Sequence, residues 1–171
     1  VGNAEKRAAV GRLITQTNAL ITYFSQSNLP IIKIQTVHKA DKSTWNQWAL
    51  EHDVPRLLEG SREAEYVPEV HSVAEEVWVT KTRVSAFKRT NLEALLHQLS
   101  CQRVVICGYS TNSCVGLTAI DAYEFDFQTV LAEEAILGTT HQEGRLMLDY
   151  LEKRFGIFPQ SNQTIQTLIA S

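Results

Sequence analysis

The chain has 171 residues, enough for one domain with a substantial core. Hydrophobic residues make up 44% and charged residues 20%, ordinary globular values that exclude wholesale disorder and a collagen-like chain. A formal net charge of −3 leaves no basic footprint for nucleic acid, and no apolar run nears the ~20 residues that cross a bilayer.

Residues 4–28 place Val10, Leu13, Thr17, Leu20, Ile21 and Phe24 at helical spacing on one stripe. Pro30 ends that helix, because proline disfavours α geometry in the residue before it. Residues 30–36 read as a strand. Residues 38–75 are irregular, with a short helix expected around 45–53, and a connection this long usually serves function. Val77–Thr80 reads as a second strand. A helix follows over 90–99, opened by Thr90-x-x-Glu93 in a capping-box pattern. Arg103–Cys107 is a nearly continuous apolar run closed by Gly108, which suits a strand buried on both faces of a parallel sheet. A helix over 112–124 and a strand over 127–132 come next. Thr140-x-x-Glu143 opens another helix that Gly156 ends, and a last helix spans 161–170. This alternation predicts an α/β fold with a mainly parallel, twisted sheet between two layers of helices.

Cys101, Cys107 and Cys114 fit neither a zinc pattern nor a redox pair, so free thiols and a cytoplasmic protein are expected. Ligands of parallel sheets bind beyond the carboxyl ends of the strands. Lys81, His38 and Cys114 each follow a strand. With Thr111 as N-cap, Cys114 falls in the first turn of a helix. Free N–H groups and the helix dipole there favour a thiolate and can hold an oxyanion. The competing reading makes Cys114 a small core residue and Lys81 a solvated surface group. His38 lacks the further ligands a metal would need, and His141 reads as a surface residue. Trp45 and Trp48 could wall a pocket or simply pack. Gly108 does not belong to a dinucleotide fingerprint, so no cofactor is expected.

Two blocks carry a family resemblance: V-T-K-T-R-V-S-A-F at 79–87 and V-V-I-C-G-Y-S-T-N-S-C-V-G-L-T-A-I-D-A at 104–122. The chain resembles the isochorismatase-like cysteine hydrolases, the superfamily that includes nicotinamidases and N-carbamoylsarcosine amidase. The resemblance runs from about residue 5 to the C-terminus and implies a single domain with the isochorismatase-like, Rossmann-like three-layer fold. It implies Cys114 as nucleophile and Lys81 as catalytic lysine. A cis Tyr109–Ser110 peptide would aim the Ser110 N–H, beside that of Cys114, at the oxyanion. The implied activity is metal-independent hydrolysis of a C–N bond in a small amide, ureide or carbamoyl compound through a thioester. Trp45 and Phe87 are expected at the substrate pocket. The nicotinamidase metal histidines have no counterpart around His38. Relatives are commonly oligomeric, so a homo-oligomer is expected, with neither nucleic acid nor membrane as partner.

The family's third catalytic group is an aspartate in a D-x-Q-like motif, ending a strand ahead of the first helix. Here the residues begin with that helix, and Asp41, Asp53, Asp121 and Asp126 lie in other segments. The strand is therefore expected to lie outside these residues. Two other readings compete: a catalytically silent binding or assembly protein on the same fold, and a thiol redox sensor built on Cys107 or Cys114.

Overall fold

The computed structural model describes residues 3–54 and 56–170. Helix α1 (Asn3–Gln26) buries Thr17, Leu20 and Ile21, while Val10 nearer its start is 36% exposed. It packs on β4 (Gln128–Leu137) and α6 (Asn162–Ala170), and the Tyr23 hydroxyl donates to the Gln166 carbonyl at 3.0 Å. Strand β1 (Ile32–Thr36) pairs in parallel with β2 (Val77–Lys81), in the register Ile32 to Val77 through Thr36 to Lys81. Strand β3 (Arg103–Tyr109) pairs in parallel with β4, which pairs in turn with the two-residue β5 (Pro159–Gln160).

The strands thus form two parallel sheets, β1–β2 and β3–β4–β5, flanked by helices. No strand pairing joins β1 to β3 among the described residues. The consequence shows in β3. Its run Val104–Cys107 has the composition of a strand buried on both faces, yet all four residues are only half-buried. Closer packing lies elsewhere. Leu131, Ala132 and Ala135 of β4 are fully buried, as is Leu151 of α5 (His141–Phe155).

Lys33 is an inward-pointing lysine on β1. Its ammonium is 2.9 Å from Glu76, and the Tyr66 and Trp78 rings lie about 5 Å away. Burial acts to raise the Glu76 pKa, but the Val73 N–H, Lys33 and the Trp78 indole outweigh it and hold the carboxyl below its ordinary value.

Several boundaries differ from the sequence expectation. The short helix α2 (Gln47–Glu51) starts at Asn46, whose side chain accepts from the Ala49 N–H. The Thr90 capping box does not form. Helix α3 (Leu92–Gln98) begins two residues later; the Thr90 hydroxyl donates to the Ala86 carbonyl and accepts the Leu92 N–H at 3.3 Å rather than that of Glu93. The helix expected over 112–124 is split. Thr111–Val115 is a π-helical turn, and α4 proper spans Gly116–Glu124. The cause is a five-residue hydrogen bond, Val115 N–H to the Ser110 carbonyl at 3.0 Å. At α5 the Thr140 hydroxyl does accept the Glu143 N–H, and Gly156 closes the helix at φ 67°. Strand β4 runs five residues past the expected end at 132, and β5 was not anticipated.

Candidate functional site

Strand β2 delivers Lys81 at its carboxyl end, where the side chain is 5% exposed. Strand β3 passes through Gly108 at φ 122°, a backbone state that suits glycine, and ends on Tyr109, which a cis peptide joins to Ser110. The π turn then carries Cys114 back toward β2. The Lys81 ammonium donates to the Arg83 carbonyl at 2.8 Å, the Val84 carbonyl at 2.9 Å and the Cys114 sulfur at 3.4 Å. Three donors meet three acceptors. Among the described residues no carboxylate forms an ion pair with Lys81.

The two side chains share a cavity of about 500 Å³. Thr36, Tyr66, Lys81, Tyr109 and Cys114 lie at its carboxyl-edge end, with Val10 and Leu13 of α1 along one wall. Tyr66 comes from the irregular segment before β2. Burial, with smaller contributions from Cys107 and Glu76, pushes its pKa up to about 12, so it is a neutral phenol near neutrality.

The segment after β2 is fastened to α4. The Ala86 N–H donates to the Thr118 hydroxyl at 3.0 Å, and Lys88 pairs with Asp121 at 3.2 Å. Asn112 in the π turn accepts the Thr139 N–H at 2.8 Å, which ties the cysteine turn to the end of β4. Sequence reading missed Thr118 and Asp121 as positioning groups. Thr118 follows Cys114 by four residues, and that spacing was the available signal. Tyr66 had none, since it lies in a segment without periodicity.

The other expected residues are placed as follows. Ser110 is buried, and its carbonyl accepts the Ser113 and Val115 N–H groups. Phe87 is 8% exposed in the core against Phe125 and Phe127, because the turn after β2 directs it inward. It lines a second cavity rather than the one that holds Cys114. Trp45 is outside that lining too, its indole donating to the Lys39 carbonyl. His38 is buried, with the Thr44 hydroxyl 3.4 Å from its Nδ1. Burial foremost, then the nearby Arg56, holds its pKa below the ordinary value, with Arg83 and Lys81 adding to the effect. His141 is exposed at the start of α5. Among the described residues no three His, Cys, Asp or Glu side chains cluster as metal ligands. Cys107 is half-buried as a residue, but desolvation of its thiol pushes the pKa up to about 11 against a Thr17 hydrogen bond. It does not supply the readily ionised thiol that a redox sensor needs.

Residues 2–163 match the family model described as Isochorismatase domain. The maleamate amidohydrolase of Pseudomonas putida is 33% identical over 112 residues, 66% of this chain and 51% of that protein. A ureidoacrylate amidohydrolase of Yersinia enterocolitica is 31% identical over 88 residues, 52% of this chain and 36% of that protein. The chain thus spans about half the length or less of these curated relatives. Among solved structures, the N-carbamoylsarcosine amidase of Thermoplasma acidophilum superposes with a TM-score of 0.78 at 21% identity, covering 90% of this chain and 84% of that one. An isochorismatase family protein of Desulfovibrio vulgaris reaches 0.84 at 20% identity, covering 93% and 85%.

Proposed function

The chain belongs to the isochorismatase family, and from that premise we propose that it is a cysteine hydrolase of small amide, ureide or carbamoyl compounds. The observation that carries the reading is the 3.4 Å approach of the buried Lys81 ammonium to the Cys114 sulfur, at the open carboxyl edge of parallel strands. An ammonium held by two neutral carbonyls and a sulfur is balanced when that sulfur is a thiolate.

In the proposed reaction the Cys114 sulfur attacks the carbonyl carbon, and a carbon–sulfur bond forms. Ser110 and Cys114 N–H groups are the proposed donors to the oxyanion. The carbon–nitrogen bond then breaks, and ammonia or an amine leaves with one added proton. Water attacks the thioester and its carbon–sulfur bond breaks, giving the acid and the free Cys114 thiol, with one hydrogen of the water on each. The thiol proton must reach the leaving nitrogen through a carrier. The resemblance assigns that task to an aspartate on a strand ahead of α1. Maleamate and ureidoacrylate, the compounds in the relatives' names, head the substrate panel.

The test is ammonia release from that panel by the chain and by Cys114→Ala. The variant should lose at least ~10³-fold in turnover while keeping its melting profile. Hydrolysis at the original rate without the sulfur would overturn the assignment.

A further inference from the structure

We infer that Arg83 is a positioning residue: it braces the cradle of Lys81 against the turn that follows β1, and so sets the approach of Lys81 to Cys114. The inference rests on the proposed pairing of those two groups and deepens it.

The cradle is short. Lys81 ends β2, and its ammonium turns back onto the carbonyls of Arg83 and Val84. Backbone torsions over residues 82–84 therefore decide where the ammonium stands, and with it the 3.4 Å approach to the sulfur. Those residues lie outside any helix or strand, so no ladder of backbone hydrogen bonds fixes the torsions.

Arg83 fixes them from its side chain. Its Nη1 donates to the Thr82 carbonyl at 2.8 Å, to the Thr82 hydroxyl at 3.3 Å and to the Thr44 carbonyl at 2.7 Å. The bonds to Thr82 fold the side chain back over its own peptide link. The bond to Thr44 crosses to a segment 39 residues earlier. One residue thus holds the Lys81 ammonium with its backbone oxygen and grips Thr44 with its guanidinium.

Thr44 is a firm anchor, because its turn is closed on itself. The Thr44 hydroxyl accepts the Lys39 N–H at 2.9 Å, Asp41 accepts the Ser43 N–H at 2.9 Å, and the Trp45 N–H donates to the Lys42 carbonyl at 3.0 Å. On one flank Asn46 caps α2 and takes the Arg56 guanidinium at 2.8 Å. On the other, the Val37 N–H donates to the Lys81 carbonyl at 3.1 Å.

Charge does not explain the arginine. It is half-buried, and among the described residues no carboxylate forms an ion pair with it. Burial foremost, then Arg89 and Arg56, hold its pKa below the ordinary value. The cation is kept against an electrostatic cost, and the bonds of its Nη1 go to neutral oxygens. What a guanidinium offers there is shape. Its planar fork sets the N–H directions in advance, whereas a lysine carries one freely rotating head. Arg83 lies outside the lining of the cavity that holds Cys114, so its effect on the sulfur runs through Lys81.

The test reads Cys114 directly, without substrate. Alkylation by iodoacetamide at neutral pH is followed by mass spectrometry at Cys101, Cys107 and Cys114, in the parent, Arg83→Ala and Arg83→Lys. The thiolate is the form that reacts. Loss of the brace lets the ammonium drift from the sulfur. Arg83→Ala should therefore slow alkylation at Cys114 at least ~5-fold and leave Cys101 and Cys107 at their parental rates. Arg83→Lys keeps the charge without the fork and should be nearly as slow. Millimolar guanidinium chloride should restore much of the Cys114 rate in Arg83→Ala, and sodium chloride should not. Turnover on the amide panel should fall about 10–10²-fold, in kcat rather than KM, as a misplacement of ~1 Å does. Three results would overturn the inference. One is an unchanged Cys114 rate in Arg83→Ala. Another is faster alkylation at all three cysteines, the mark of a merely loosened fold. The third is a parental Cys114 rate in Arg83→Lys, which would reduce Arg83 to its charge. Alkylation needs no hydrolysis, so a panel that releases no ammonia would count against the hydrolase reading and leave this measurement to stand by itself.

Discussion

Lys81 and Cys114 are 33 residues apart in sequence, and their contact depends on small residues that let the turn carrying Cys114 pack closely. Gly116 is the sharpest example. A Cβ there would come within 2.7 Å of the Thr111 carbonyl and 2.8 Å of Met147. The π turn can lie against α5 only because that carbon is absent. Gly116→Ala should therefore cost about 1–3 kcal/mol in denaturant unfolding, since backbone rather than a flexible side-chain tip must move. It should also lower turnover by displacing the Cys114 sulfur from the Lys81 ammonium. Unfolding curves that superpose on the parent's would show that the turn has slack. At this scale the motifs were readable, because Lys81 and Cys114 sit in runs of distinctive composition. Tyr66 was not, because an irregular segment leaves no trace of which side chain faces the cavity.

The elements matter as carriers of those residues. Strand β2 ends on Lys81, and the segment after it would be free to drift were it not attached to α4. The attachment is the Ala86 N–H to the Thr118 hydroxyl at 3.0 Å, in a place where Ala86 is 2% exposed. Thr118→Val keeps the shape of the side chain and removes the acceptor. The orphaned buried N–H should cost about 1–3 kcal/mol. Turnover should fall more than substrate affinity does, because Lys81 loses its alignment while the cavity walls remain. Equal loss in a variant at an exposed α4 position, such as Leu117→Ala, would reduce Thr118 to a general stability contribution. The two capping boxes teach the same lesson about elements. Thr140 caps its helix as the spacing predicts, whereas the Thr90 hydroxyl accepts the Leu92 N–H instead of that of Glu93 and donates to the Ala86 carbonyl. Spacing identifies which N–H a hydroxyl can reach, and the local backbone decides which one it does reach.

For the whole molecule, the buried His38 links stability to pH. Its pKa is depressed in the folded state, so between that value and the ordinary one near 6.5 the unfolded chain binds more protons. Stability is then fully present above about pH 6.5 and falls as the pH drops through the folded value. Tm should decline as the pH falls below about 6.5, and His38→Gln should flatten part of that decline. Parallel Tm profiles for parent and variant would remove His38 as the origin. The same region shows what composition alone could not say. The His38 pKa is held below its ordinary value by burial first, and then by Arg56, Arg83 and Lys81, which come from three separate segments.

The sequence by itself determined the α/β alternation, the parallel pairing it requires, and the segments that carry Lys81 and Cys114. Periodicity and composition are local, and both survive without knowledge of neighbours. Tertiary structure decided the rest. It split the strands into two sheets, widened the cysteine turn into a π helix, sent Phe87 into the core and brought Tyr66 to the cavity. Each of these depends on which distant backbone groups compete for a hydrogen bond or a volume, and no window of sequence contains both competitors.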